Sequence, residues 1–301
     1  MTDSPQHIAR IIDGKAIAAQ IRAEVKSETE AFTERTGIKP RIVFILVGNN
    51  PASEVYVRNK GTSTEEAGFL GETLRFPETI SEGGLLESIA RLNDDPLTHA
   101  ILCQLPLPKH ISEEKVIEAI DPSKDIDGFH PVNIGRLSIG KGKYFAPCTP
   151  AGIMEMMMRD TIDVSGKHVV IVGRSNIVGK PLASLLVQKT KGANAIVTLA
   201  HTGARNRLSE FTRSADILIA AMGAPHAIKG NMVREGAVVI DVGMNRISDS
   251  SKKSGSRLVG DVDYDEVKYV ASAITPVPGG VGPMTIAMVL KNTLAAAMRQ
   301  S

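Results

Sequence analysis

The chain has 301 residues, which predicts two domains at roughly 150 residues each. Its 35 Lys and Arg residues nearly balance its 33 Asp and Glu residues, so the net charge of +2 gives no indication of nucleic-acid binding. Hydrophobic residues make up 43% of the sequence and charged residues 23%, which excludes a mainly disordered chain.

The first half of the chain alternates helices and strands. Asp13 can cap the first helix, and Gly37 stands just beyond its end. The predicted helices span residues 14–35, 53–67, 82–93 and 112–120, and the predicted strands span residues 42–47, 72–76 and 100–104. The segment from 121 to 150 is richer in Gly and Pro, and we place a domain boundary there.

The second half opens with a strongly apolar strand at residues 168–172. Further strands are predicted at 195–200, 216–220 and 237–242, and helices at 178–189, 206–214, 263–270 and 284–299. A polar patch at 248–256 is expected to be a solvent-exposed loop, and Pro283 fits the first turn of the last helix. Strands that alternate with helices indicate βαβ units, so we predict an α/β fold with a mostly parallel sheet.

The sequence gives no indication of a secreted protein, a membrane-spanning protein, a disulfide-stabilised protein or a metal site. Residues 1–10 lack the apolar core of a secretory signal, and no apolar run is expected to approach the ~20 residues that cross a bilayer. Cys103 and Cys148 are expected to be free thiols in a reducing compartment, and the seven His residues show no metal-ligand spacing. We therefore expect a cytoplasmic chain, with an organellar form left open, and no metal, membrane or nucleic-acid partner.

The segment from Val169 to Pro181 predicts a strand, a turn and the start of a helix. Backbone N–H groups at such a helix N-terminus favour anions, and a Rossmann domain binds a dinucleotide pyrophosphate there. The glycine fingerprint is imperfect, because Gly173 and Gly179 are six residues apart instead of five and Ser175 replaces the middle glycine. A nucleotide site and an ordinary strand–helix turn both stay open at this point. A P-loop is excluded, since the spacing is too long and Pro181 replaces the hydroxyl residue that holds Mg²⁺.

The residues after this turn favour NADP over NAD. An NAD site usually carries an acidic residue at the end of the second strand, where it binds the ribose 2′-OH. The sequence has no acidic residue between Arg174 and Ser209, whereas basic residues recur there. A solvated surface accounts for most of those basic side chains, but Arg174 lies in the turn itself.

A second group of candidates lies in the first half. Tyr56 and Lys60 share one face of the second helix because they are four residues apart. Gln104 ends a strand, and the carboxyl ends of parallel strands face the ligand crevice in α/β folds. Asp125 and Asp127 supply two carboxylates at the domain boundary, where turn capping and ligand binding are both open.

Seven motifs, in this order, give the sequence a specific resemblance to a known family. They are Tyr56-Val57-Arg58-Asn59-Lys60, Gln104-Leu105-Pro106-Leu107-Pro108, Asp125-Ile126-Asp127-Gly128-Phe129, Pro147-Cys148-Thr149-Pro150, the segment from Gly173 to Pro181, Asp241-Val242-Gly243-Met244-Asn245, and the segment from Thr275 to Thr285. Over nearly its whole length the chain resembles the bifunctional methylenetetrahydrofolate dehydrogenase/methenyltetrahydrofolate cyclohydrolase family.

The resemblance implies an enzyme of one-carbon metabolism that also serves purine biosynthesis. A hydride would pass from 5,10-methylenetetrahydrofolate to NADP⁺, and water would open the methenyl product to 10-formyltetrahydrofolate. Two domains around a cleft are implied. One is a folate-binding catalytic domain at 1–147, on which the helix at 284–301 packs, and the other is a Rossmann-like, doubly wound NADP-binding domain at 148–283. A homodimer formed through the second domain is also implied.

The resemblance further implies a set of folate-site residues. Lys60 matches the family's catalytic lysine, and Gln104 matches the residue that hydrogen-bonds it. Asp127 matches the residue that holds the pterin ring, and Tyr56 matches the residue that packs on the aminobenzoyl ring. The loop that carries Pro276 and Gly280 is implied to border the folate.

The cofactor site implied by the resemblance comprises Gly173, Arg174, Ser175, Gly179, Thr202 and Met244. Two departures from the family pattern concern its neighbourhood and the catalytic helix. The turn from His201 to Arg205 replaces a commoner serine-containing turn. Gly61 and Thr62 follow Lys60 where basic and small helix formers are usual, so Gly61 is expected to end or loosen the helix early.

Two other functions stay open at the level of the sequence. One is a dehydrogenase that has lost the cyclohydrolase activity, which the unusual Gly61 favours. The other is a non-catalytic NADP-binding sensor. The intact set of Lys60, Gln104 and Asp127 argues against the first of these. A sensor would need neither Lys60 nor Gln104, so their presence argues against the second.

Overall fold

The computed structural model describes residues 7–252 and 255–301. The strands are β1 (Arg10–Ile11), β2 (Arg41–Val47), β3 (Leu70–Phe76), β4 (Ala100–Cys103), β5 (His168–Val172), β6 (Ile196–Ala200), β7 (Ile217–Ala220), β8 (Val238–Asp241), β9 (Asn245–Ser248), β10 (Ser256–Val259) and β11 (Ala273–Ile274). The helices are α1 (Gly14–Thr36), α2 (Pro51–Glu66), α3 (Glu82–Asp94), α4 (Glu113–Ala119), α5 (Pro131–Ile139), α6 (Cys148–Arg159), α7 (Gly179–Leu186), α8 (Leu208–Thr212), α9 (Tyr264–Val267) and α10 (Val281–Gln300).

The chain divides into two compact units. The three-stranded unit comprises Ala19–Cys148 and Ile286–Ser301, and the six-stranded unit comprises residues 7–18 and Thr149–Thr285. The first residues therefore belong with the second half of the chain, whereas the sequence analysis groups them with the first half. The reason is strand pairing, because β1 lies parallel to β11 and Ala9 N donates to Lys268 O at 2.7 Å.

The three-stranded unit is built on a parallel sheet in the order β3-β2-β4. β2 lies in the middle, and all of its residues after Arg41 are buried, as its continuous apolar run predicts. Ile45 and Ile101 pack with Leu85, Ile89 and residues of α4 in one apolar core. This core packs α3 and α4 against the sheet whose strand β4 ends directly before Gln104.

The six-stranded unit is a parallel sheet in the order β1-β11-β8-β7-β5-β6. β5 pairs with β6 on one side and with β7 on the other, so the direction of the chain crossovers reverses at β5. This is the Rossmann-like, doubly wound arrangement that the sequence analysis predicts, and ligands bind such sheets at the carboxyl ends of the strands beside the reversal.

Two features differ from the expectations. The described residues between Ser248 and Ser256 do lie outside strands and are mostly exposed, as expected, but the prediction missed that β9 and β10 form an antiparallel hairpin on either side of them, with Ser248 opposite Ser256. Each strand has only four residues of mixed polarity, which is too short for a clear alternation. The last helix also contradicts the expectation that no long apolar run occurs, since Val281–Gln300 is long and apolar enough to cross a membrane by length and composition alone.

The apolar surface of α10 is covered within the protein. Val289, Leu290 and Leu294 are almost fully buried. Its polar residues face the three-stranded unit, where Asn292 Nδ2 donates to Ile126 O at 2.8 Å and Gln300 Nε2 donates to His99 O at 2.9 Å. These contacts are those of a core helix of a folded domain.

A buried lysine holds the end of α3. Lys124 is 6% exposed, and its Nζ donates to Leu92 O, Asn93 O and Asp95 O at 3.0, 2.7 and 2.8 Å. The last carbonyls of a helix have no partner within the helix, so this one ammonium group satisfies them. Burial lowers the pKa of Lys124, and the nearby Asp121 and Asp95 carboxylates oppose that shift.

Replacing Lys124 by Met is expected to lower the free energy of unfolding by about 2–4 kcal/mol, because three carbonyls lose a charged donor. The matched control is Lys115→Met on the neighbouring helix, where the Lys115 side chain is 63% exposed and pairs with Glu82 at the surface. The free energy of unfolding of this control should fall far less, since solvent screens an exposed ion pair. Urea unfolding monitored by circular dichroism measures both, and equal losses would contradict the role given to Lys124.

Helix α2 continues through Gly61, so the expectation that this glycine ends or loosens the helix is wrong. The helix extends to Glu66, and Thr64 Oγ1 donates to Lys60 O at 2.8 Å within it. A Cβ atom placed on Gly61 would have nothing within 4 Å. The tertiary contacts of the helix therefore outweigh the low helix propensity of one glycine.

Replacing Gly61 by Ala is expected to raise the free energy of unfolding by about 0.5–1 kcal/mol, because alanine loses less backbone freedom on folding. Gly128→Ala is the contrasting variant, since Gly128 has φ +73° and its Cβ would lie 2.6 Å from Phe145 O. Thermal unfolding should show the first variant above the wild type and the second below it. If Gly61→Ala were less stable than the wild type, the space beside Gly61 would be too small for a methyl group.

Candidate active site

Lys60 and Gln104 meet beside the sheet of the three-stranded unit. Lys60 lies on α2 and Gln104 follows β4 directly, and Lys60 Nζ donates to Gln104 Oε1 at 3.2 Å. Gln104 is fixed in place, because its N–H donates to Ile45 O at 2.9 Å and its Nε2 donates to Leu105 O at 2.7 Å. These two bonds orient the Gln104 amide oxygen toward Lys60. Lys60 is only 7% exposed.

Asp127 interacts with the same lysine. Burial raises the pKa of the Asp127 carboxyl, and the positive charge of Lys60 opposes only part of that shift. Tyr56 lies one helical turn before Lys60 on α2 and is 37% exposed. The structure thus brings Lys60, Gln104 and Asp127 together and leaves Tyr56 at the surface beside them.

Asp125 differs from Asp127 in that it holds the loop. Asp125 is buried, and its carboxylate accepts from Gly128 N and Phe129 N at 3.2 and 3.3 Å and from His130 N at 2.8 Å. Asn133 Nδ2 also donates to it at 2.9 Å. Turn capping, one of the two interpretations of this pair in the sequence analysis, therefore applies to Asp125. Ligand binding by Asp127 stays a prediction.

The two cysteines are buried close to this group. Burial raises the pKa of the Cys103 thiol to about 12, and burial together with the Asp127 carboxylate raises the pKa of the Cys148 thiol well above its ordinary value. Cys148 Sγ donates to Ile126 O at 3.3 Å. Both side chains therefore stay protonated thiols near neutral pH, which does not suit a nucleophile.

The turn after β5 brings backbone segments into close contact. Gly173 has φ +135°, and a Cβ on it would lie 2.1 Å from Ala221 O. A Cβ on Gly179 would lie 2.0 Å from Gly173 O. Ser175 Oγ accepts from Val178 N and Gly179 N at 3.1 and 3.4 Å, so it caps the first turn of α7. The longer glycine spacing is therefore accommodated by a serine-capped turn.

A cavity of about 380 Å³ opens at this turn. Four of the six predicted cofactor residues line it, namely Gly173, Arg174, Ser175 and Thr202. The other lining residues are Val172, His201, Arg205, Leu208, Ala221 and Met222. Arg174 and Arg205 give the cavity positive charge, and none of its described lining residues is acidic, which fits a phosphate-bearing ligand.

The remaining predicted site residues lie elsewhere in the six-stranded unit. Gly179 packs beneath the turn, and Met244 is 42% exposed beside Gly282. Pro276 and Gly280 belong to the loop between β11 and α10, where a Cβ on Gly280 would lie 2.7 Å from Pro276 O. These residues do not line the cavity described above.

Sequence reasoning missed Ala221 and Met222. They follow β7, which is next to β5 in the sheet, so their backbone faces the Gly173 turn. The rule that ligands bind at the carboxyl ends of strands beside the crossover reversal would have found them, but only once the strand order was known. Among residues 7–252 and 255–301, no group of three or more His, Cys, Asp or Glu side chains could hold a metal ion.

Comparison with known proteins identifies the family. A family model for the catalytic domain of tetrahydrofolate dehydrogenase/cyclohydrolase matches residues 12–127, and one for its NAD(P)-binding domain matches residues 147–301. A relative named bifunctional protein FolD, from Chlorobium phaeovibrioides, is 54% identical over 285 residues that cover 94% of this chain and 96% of the relative.

Solved structures agree with these matches. A bifunctional FolD enzyme from Campylobacter jejuni is 45% identical, covers 97% of this chain and 100% of its own, and superimposes with a TM-score of 0.91. A dehydrogenase-cyclohydrolase from Trypanosoma brucei, solved with NADP and an inhibitor, is 38% identical, covers 97% and 98% of the two chains and has a TM-score of 0.92. The predicted resemblance is confirmed, and the chain belongs to the tetrahydrofolate dehydrogenase/cyclohydrolase family.

Proposed function

We propose that this chain oxidises 5,10-methylenetetrahydrofolate to 5,10-methenyltetrahydrofolate with NADP⁺ and then hydrolyses that product to 10-formyltetrahydrofolate. Family membership supports both reactions. The observation that carries the proposal is the Lys60–Gln104 hydrogen bond beside Asp127, which provides a group that can exchange protons in a folate site.

In the oxidation, the task of the protein is alignment. NADP⁺, when bound, accepts the hydride from the methylene carbon of the folate. We assign Asp127 to the N–H groups of the pterin ring, since a carboxylate can accept from two such groups at once. Tyr56 is assigned to the aminobenzoyl ring. No proton moves at the reacting carbon, so these contacts contribute by orienting the substrate.

In the hydrolysis, protons have to move. Water forms a C–O bond to the methenyl carbon, and its oxygen loses both protons as the formyl carbonyl forms. One C–N bond of the bridge breaks and its nitrogen takes up one proton, while the second proton is released to solvent. We assign this proton traffic to Lys60 Nζ, with Gln104 Oε1 holding the amine in place. A positioned acid–base group of this kind contributes about 10²–10⁴-fold.

The alternatives from the sequence lose support. The unusual Gly61 favoured a dehydrogenase without cyclohydrolase activity, but α2 is continuous through it and Lys60 contacts Gln104. A non-catalytic sensor would not require the hydrogen bond between Lys60 and Gln104. The bifunctional assignment is therefore consistent with Gly61, Lys60 and Gln104.

The cofactor is assigned as NADP in preference to NAD. The cavity at the Gly173 turn carries Arg174 and Arg205, which suit a 2′-phosphate. Arg205 takes φ +50°, a backbone conformation uncommon for residues other than glycine, within the segment that departs from the family pattern. Arg205 in this conformation lines the cavity.

The assembly and location are also proposals. A homodimer through the six-stranded unit is supported by β6, which is an edge strand of the sheet, and by the exposed apolar side chains of Val187 and Ile196 near it. We assign the protein to the cytoplasm, where folate and NADP are both available.

Replacing Lys60 by Met is expected to reduce cyclohydrolase turnover by about 10²–10⁴-fold, because the proton-exchanging amine is lost. The dehydrogenase should lose less, through poorer alignment only, and the methenyl compound should accumulate with its ultraviolet absorbance. Each activity is assayed separately, the second starting from methenyltetrahydrofolate, with Lys115→Met as the control. A parallel fall in both activities would make Lys60 a positioning residue instead.

Replacing Arg174 by Ala is expected to narrow the NADP⁺/NAD⁺ ratio of kcat/KM by about tenfold or more, because a charge-assisted bond to the 2′-phosphate is removed. The control is Arg207→Ala, since Arg207 pairs with Glu210 at the surface and does not line the cavity. Initial rates with both cofactors measure the ratio. If the ratio stayed unchanged in the Arg174 variant, that arginine would not contact the phosphate.

A further inference from the structure

The buried carboxylate of Asp261 binds the loop that borders the cofactor cavity. Asp261 has no exposed surface, and its side chain accepts from Met222 N at 2.6 Å, Gly223 N at 3.0 Å and Ala224 N at 2.9 Å. Asn245 Nδ2 donates a further hydrogen bond to Oδ1 at 2.8 Å. One side chain thus binds three consecutive backbone amides and one side-chain amide.

One of the two segments that carry these donors borders the candidate cofactor cavity, and the other follows a residue assigned to the cofactor by the resemblance. Met222 and the preceding Ala221 line the cavity, and Ala221 O lies against the Gly173 turn. Asn245 directly follows Met244, the residue that the sequence analysis assigns to the cofactor. The Asp261 side chain therefore connects residues 222–224, which follow β7, with Asn245, which begins β9.

Asp261 is itself held by another buried carboxylate. Asp241 accepts from Asp261 N at 2.9 Å and Val262 N at 2.9 Å, and from Gly243 N at 2.9 Å. Burial raises the pKa of Asp241 to about 6, and the charge of Asp261 adds to that shift. Two carboxylates in one buried region oppose each other, so their joint presence indicates that the loop geometry they hold is needed.

We propose that Asp261 is a positioning residue for the hydride transfer, because it holds the loop after β7 and the Met244–Asn245 segment in the shape that receives the dinucleotide. The inference rests on the proposed function, since it concerns the same cofactor site. A carboxylate is required at this position because both of its oxygens accept, whereas an asparagine would turn its NH₂ group toward backbone N–H donors. Asp261 acts through the loop and does not itself line the cavity.

The test uses Asp261→Asn in the full-length protein. NADPH binding, followed by the fluorescence of the nicotinamide, is expected to weaken about tenfold or more, since charged hydrogen bonds to the loop are lost. The dehydrogenase kcat/KM for NADP⁺ should fall at least as much. Cyclohydrolase activity, started from methenyltetrahydrofolate without cofactor, should stay within about threefold of the wild type, because Lys60 and Gln104, to which that activity is assigned, belong to the other compact unit.

The matched control is Asp263→Asn, two residues along the same segment. The Asp263 side chain caps α9 and pairs with Lys229 at 2.7 Å, and it accepts none of the hydrogen bonds from residues 222–224 that Asp261 accepts. This variant should lower the melting temperature without changing NADPH binding. If it weakened NADPH binding as much as Asp261→Asn does, the effect would be loss of stability and the proposal would be overturned.

A second variant covers the case in which Asp261→Asn does not fold. Asn245→Ala removes only the side-chain donor and should raise the KM for NADP⁺ several-fold, with cyclohydrolase activity retained. Unchanged NADPH binding in a folded Asp261→Asn protein, or an unchanged KM in Asn245→Ala, would overturn the proposal. Failure of the wild type itself to bind NADPH or to oxidise methylenetetrahydrofolate would instead overturn the proposed function.

Discussion

Buried carboxylates that accept hydrogen bonds from loop amides recur at both candidate sites. Asp125 accepts from the backbone N–H groups of residues 128–130, and Asp261 accepts from those of residues 222–224. These amides lie beyond regular strands, so no sheet ladder is available to satisfy them. The side-chain carboxylate takes the place of the ladder, and the loop that carries the site gains one defined shape.

The cost of burying such charges is offset locally. An isolated buried charge costs several kcal/mol, and each hydrogen bond to a charged group returns about 1.5–3 kcal/mol. Burial raises the pKa of Asp125, while its bonds from Asn133 and His130 lower it. The preceding Lys124 does the reverse, since its ammonium group binds three carbonyls at the end of α3. Two adjacent residues of opposite charge thus anchor the segment that carries Asp127.

The cofactor cavity depends equally on strand order. The residues that line it follow β5, β6 and β7, and these three strands are neighbours in the sheet although their connections run in opposite directions. The Gly173 turn and the loop after β7 touch through the backbone, where no side chain would fit. Main-chain atoms therefore set the shape of the cofactor cavity, and the side chains of Arg174 and Arg205 give it positive charge.

Most local elements, the order of the motifs and the family could be predicted from the amino-acid sequence. The strand at 168–172 and the residues of the Lys60, Gln104 and Asp127 set could be named from periodicity, turn chemistry and resemblance, because these signals lie within short stretches of chain. The folded structure was needed for what depends on distant partners: that Asp125 holds a loop while the charge of Lys60 acts on Asp127, that α2 continues through Gly61, and that residues 245–248 pair with residues 256–259 in a hairpin. It also decided that Asp261, 39 residues from Met222 in sequence, binds the loop at the cofactor cavity, since hydrogen-bond satisfaction is settled only when the chain is folded.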